Sequence, residues 1–105
     1  MQWLHLLAYF FGGVFLANAL PHLVSGSIGH AFQTPFATPR GVGRSSSTIN
    51  VLWGFCNLAA GYVLLCRVGD FDLRNLLDAS VAGAGAFVLA MALTAHFGRY
   101  NGGKP

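Results

Sequence analysis

The chain has 105 residues, of which 54% are hydrophobic and only 9% charged, with a net charge of +3. That length gives a single domain, and a soluble domain this small needs far more charge to cover its surface. Composition therefore excludes a soluble enzyme, an autonomous nucleic-acid-binding module and a disulfide-stapled secreted scaffold. The placement of the charges says more than their number. No Lys, Arg, Asp or Glu occurs at positions 1–39, 45–66 or 79–98. Each gap is at least as long as the roughly 20 residues that cross a bilayer core. The fold class expected is an all-α integral membrane protein: three transmembrane helices, with a Gly/Pro-rich interfacial loop between the first two.

The first span covers about 3–24 and is apolar apart from His5, Asn18 and His22. Pro21 should kink it or loosen its end. Ala17-Asn18-Ala19 resembles a signal-peptide cleavage site, but Met1-Gln2 offers no basic n-region and the apolar run continues beyond it. An uncut first helix is the expectation.

The connection 25–47 has four glycines, two prolines and no acids, yet it keeps Ile28, Phe32, Phe36 and Val42. A freely solvated linker is more polar than this. The expectation is an ordered loop in the interface, with Phe32, Phe36, Arg40 and Arg44 meeting lipid or a partner protein.

The second span, about 48–68, is preceded by Ser45-Ser46-Ser47, which offers hydroxyls for its N-cap. Asn50, Gly54, Asn57 and Gly61 recur at offsets of four, three and four, so they share one stripe. Small residues let helix backbones approach in lipid, and amides hydrogen-bond between helices. Cys56 and Cys66 are about 15 Å apart along the axis, too far for a disulfide. They read as small apolar residues, and no zinc or thioredoxin-like motif accompanies them.

Gly69 can end the second span, and Asp70 or Asp72 can cap the third, about 76–97. That span has its own small-residue stripe in Ala79, Gly83, Ala86 and Ala90, and the first contributes Ala8, Gly12 and Ala19; these stripes are expected to pack against one another in a compact three-helix bundle. Asp78 lies one turn inside it, with Arg74 as its natural partner. Four basic residues (Arg40, Arg44, Arg99 and Lys104) fall on the side of the 25–47 loop and the tail. Arg67 and Arg74 fall on the other, so the loop and the C-terminus should be cytoplasmic and the N-terminus periplasmic.

Chemistry-bearing residues are few. Asn18, His22, His96 and Asp78 are the polar groups inside or at the edge of spans, and such groups favour function or interhelical hydrogen bonding. No nucleophile–base pair, paired-carboxylate site or phosphate loop can be assembled, so no catalytic residue, metal or cofactor is expected. His22, His30 and His96 sit near one end, where an imidazole could hold haem or pigment. Histidines that ligate haem in pairs usually face each other at mid-span, so these read as interfacial hydrogen-bonding groups.

The segments NALPH (18–22), GHAFQTPFATPRGVGRSSS (29–47) and NVLWGFCNLAAGYVLL (50–65) are the most distinctive. Over this stretch the chain resembles a family of small three-helix bacterial membrane proteins, mostly without assigned function. In size and character it is also similar to accessory polypeptides of purple-bacterial reaction centre–light-harvesting 1 core complexes. That resemblance implies a non-enzymatic accessory subunit of the inner or intracytoplasmic membrane. It would stand in the light-harvesting ring, beside reaction-centre and antenna polypeptides and lipid, and leave a gap for quinone exchange. The alternatives are a small oligomeric ligand-binding or transport protein using Asn18, Asn50 and Asn57, and a histidine-ligated haem or pigment carrier.

Overall fold

A computed structural model describes residues 2–103. Three of its helices are long and apolar enough to cross a membrane. Helix α1 is Gln2–Ser27. Helix α2 is Ser47–Tyr62 and runs on into a π-helical segment, Val63–Val68. Helix α3 is Leu76–Asn101. Two short strands, β1 (Phe32–Gln33) and β2 (Arg44–Ser45), pair antiparallel and close the connection between α1 and α2 into a strap.

Local chemistry sets the helix ends. α1 passes through Pro21 and stops only where Gly29 takes a positive φ of 79°. There the His30 N–H donates to the Ser25 carbonyl (2.8 Å) and the Gly29 N–H to that of Gly26 (3.1 Å). These are the paired reverse bonds of a glycine C-cap, and they extend α1 beyond position 24. Ser46 caps α2, its hydroxyl accepting from the Ile49 N–H. The cap of α3 is Asn75, in place of either aspartate expected there; its side chain accepts from the Asp78 N–H. Asp72 is occupied elsewhere, accepting from the N–H of Arg74 within the turn.

The helices do not form a closed triangle. α1 packs along both α2 and α3, while α2 and α3 barely touch each other. The stripes thus meet in two seams, each with α1 on one side, and the bundle is not closed by an α2–α3 contact.

In the first seam, α1 brings the row Gly12, Leu16, Ala19, Leu23 and Gly26 to the α2 row Gly61, Asn57, Gly54, Asn50 and Ser47, with Gly12 and Leu16 meeting Gly61, Leu23 meeting Gly54 and Gly26 meeting Ser47. Both rows alternate steps of four and three, the spacing of a coiled-coil contact line. A Cβ on Gly54 would lie 2.6 Å from Leu23, and one on Gly61 would lie 2.7 Å from Leu16. Leucines of α1 thus occupy the hollows left by α2 glycines.

The second seam is tighter. A Cβ on Gly13 would collide with the carbonyl group of Ala82, and one on Gly85 with that of Phe10. Gly85, which the stripe omitted, is thus the close-approach residue of α3. Gly83 has open space around it and Ala90 is exposed, so neither is in a seam. Ala79 and Ala86 are half-buried, and with Gly83 they line a shallow apolar groove beside α1. α3 carries small residues on nearly every face, so spacing alone does not single out the buried one.

Candidate functional site

The polar residues converge where α1 ends, α2 begins and α3 ends. Asn50 and His22 are almost fully buried. The Asn50 amide nitrogen donates to three strap carbonyls, those of Phe32 (3.2 Å), Ser45 (3.1 Å) and Ser46 (3.0 Å). Its oxygen is therefore left to accept, and His22 Nδ1–H donates to it at 2.8 Å. The His22 ring stands edge-on to Phe32 and to Trp53. Phe32 in turn packs edge-on against Phe97 of α3, with centroids 4.8 Å apart. Phe32, expected to contact lipid or a partner, is half-buried and bridges His22 and Phe97 within the molecule.

A second group ties the strap to α3. Gln33 and Asn101 exchange amide hydrogen bonds in both directions, each 3.1 Å. The Arg44 guanidinium donates to Asn101 Oδ1 (3.2 Å), so Arg44 is engaged within the chain. His96 Nε2–H donates to the Gly41 carbonyl at 2.7 Å. Thr34 and Ser45 bond through their hydroxyls across the strand pair. The strap is thereby latched to all three helices.

One further bond lies deeper in the α1–α2 seam, where Asn18 Nδ2 donates to Asn57 Oδ1 (3.0 Å). Asn57 also donates to the Trp53 carbonyl one turn back in its own helix. At the opposite end, the buried Tyr9 hydroxyl accepts from the Asp70 N–H (2.9 Å). Asp78 uses its carboxylate to accept from the Asp72 N–H (3.1 Å), serving the turn backbone in place of the expected Arg74 partner.

Gln33, Thr34, Tyr9 and Asn101 were not anticipated as structural residues. Gln33 and Thr34 are nearly as buried as Asn50, although they lie in a connection. Their partners are 11 and 68 residues away, and no local pattern encodes such a pairing. Of the four residues expected at a lipid or protein contact, Phe36 and Arg40 remain exposed and unlatched. They line a cavity of about 570 Å³ with Pro35, Ala37 and Thr38. His30 is exposed just past the end of α1, and its ring makes no hydrogen bond with His22 or His96. Among the described residues no three His, Cys, Asp or Glu side chains converge in the manner of a metal site.

No protein-family model, curated protein or solved structure matches the chain.

Proposed function

We propose that this chain is a non-enzymatic accessory subunit of a larger bacterial membrane complex. The observation that supports this reading is the self-sufficiency of its polar groups. Among the described residues, every buried side-chain nitrogen or oxygen has a hydrogen-bond partner within the chain. The asparagines that a ligand-binding or transport protein would turn to its substrate are spent on each other, on His22 and on the strap. What such a molecule offers its surroundings is shape and an apolar exterior, which suits a spacer between other membrane-spanning polypeptides.

The finer form of the proposal rests on resemblance: a spacer like protein W, interrupting the light-harvesting 1 ring around a reaction centre and leaving a path for quinone. It places the chain in the inner or intracytoplasmic membrane. A spacer of this kind acts by geometry, since three helices fill a ring position without presenting the surface that the next antenna pair needs.

Gentle detergent extraction followed by native electrophoresis is the test. The expected result is co-migration with a complex many times the chain's own 11.1 kDa. Removing the chain should then alter that complex's subunit stoichiometry while sparing its chemistry. For the antenna form, the ring closes and quinone turnover slows. Migration as a small homo-oligomer, with no larger complex altered by the deletion, overturns the proposal.

A further inference from the structure

The outer turn of the strap, residues 35–40, folds around the cavity lined by Pro35, Phe36, Ala37, Thr38 and Arg40. Its charge is one-sided. Arg40 is exposed and bonds to no other described residue, in contrast to Arg44, which is held by Asn101. Asp70, Asp72 and Asp78 lie at the far end of the 22-residue span Ser47–Val68, roughly 33 Å away along the helix. No carboxylate among the described residues competes for the Arg40 guanidinium.

The turn also has uncommitted backbone donors. The N–H groups of Phe36, Ala37 and Gly41 are all bonded to Thr34. Those of Thr38 and Arg40 have no acceptor among the described residues. A guanidinium beside a concavity, on a turn that keeps two unbonded backbone donors, suits a phosphate oxygen cluster.

Depth distinguishes the source of that phosphate. The Phe36 ring, which lines the cavity, stands edge-on to Trp53 at 5.0 Å and 89°. Trp53 belongs to the second turn of α2, and α2 exposes Ile49, Leu52 and Phe55 along its outer side. The cavity therefore adjoins an aromatic pair that, in a bilayer crossed by the three helices, would lie at the level where headgroups meet acyl chains. A soluble anion would have no use for that apolar flank. A zwitterionic headgroup brings its own cation, whereas an anionic one needs the charge that Arg40 supplies.

We propose that the 35–40 cavity binds the phosphate of an anionic phospholipid headgroup, with Arg40 meeting the charge and Phe36 and Trp53 lying against the upper acyl chains. The site is independent of the accessory-subunit reading, because it needs only the folded chain and a bilayer.

The full-length chain in phosphatidylcholine nanodiscs provides the test, with Trp3→Phe leaving Trp53 as the sole tryptophan. Adding phosphatidylglycerol should shift the Trp53 emission saturably. Native mass spectrometry should count a retained phosphatidylglycerol. Arg40→Gln should weaken the response about fivefold, the size expected for one basic residue near an anionic surface. Arg74→Gln makes the same charge change at the opposite end and should leave the response unaltered. Equal effects of the two substitutions would overturn the site. So would the absence of both an emission shift and a retained lipid. Inorganic phosphate reproducing the shift in phosphatidylcholine alone would overturn the lipid assignment.

Discussion

The carboxamide of Asn50 accepts from His22 on α1 and donates to carbonyls at both ends of the strap, so one side chain holds three segments together. Asn57 has a similar burial but a smaller role, with one bond to Asn18 and one within its own helix. Interhelical hydrogen bonds in membranes average about 0.6 kcal/mol, with a maximum near 1.7. Leaving buried partners unsatisfied costs about 1–3 kcal/mol. Asn50→Leu, which strands His22 and several strap carbonyls, should therefore destabilise by about 2–3 kcal/mol. Asn57→Leu should cost about 1 kcal/mol, the size of a single interhelical bond. Unfolding in mixed detergent micelles compares the two directly. Equal losses would mean that the strap adds nothing to the hold of Asn50.

Among the helices, the close approach of α3 to α1 depends on Gly13 and Gly85, because a side chain on either would strike the other helix's backbone. Gly85→Leu should therefore separate the helices and lower stability by about 3 kcal/mol or more, at the upper end of overpacking costs. Gly83→Leu, set in open space, should change stability by less than about 0.5 kcal/mol, as an ordinary surface substitution does. Thermal unfolding in detergent separates these outcomes, and a reversed order would refute the packing of α3. The contrast also explains what was readable beforehand. The α2 stripe was legible because its small and amide residues stand out among bulky neighbours such as Leu52, Trp53 and Phe55. α3 reads Ala-Gly-Ala-Gly-Ala from position 82 to 86, so several stripes fit its spacing equally well. Only the position of Phe10 on α1 selects Gly85, and that is tertiary information.

For the molecule as a whole, the three long apolar helices and their order were legible from the charge-free intervals, since segments of that length and composition have few alternatives to a helix. The latch of the strap was not, because it joins side chains to backbone carbonyls far apart in sequence, as in His96 to Gly41. Strap and C-terminal end of α3 lie together, so in a membrane both would face the same compartment. The excess of basic residues there predicts the cytoplasm. Ile28→Cys and Gly103→Cys, in a Cys56→Ala/Cys66→Ala background, should label only after the inner face is opened. Labelling of either by an impermeant thiol reagent on intact cells would reverse the orientation.

The central position of α1 has a consequence for how the chain is made. α1 precedes both of its partners in the sequence, and each later helix packs on α1 with little reference to the other. During synthesis at a translocon, α2 would enter a bilayer that already holds Asn18 and His22, the groups its own Asn57 and Asn50 require. α3 would then dock against a surface already formed, by way of Gly85 and Gly13. Insertion and folding would then run in the same direction along the chain, with Asn18 and His22 of α1 the polar groups that wait for the helix that follows.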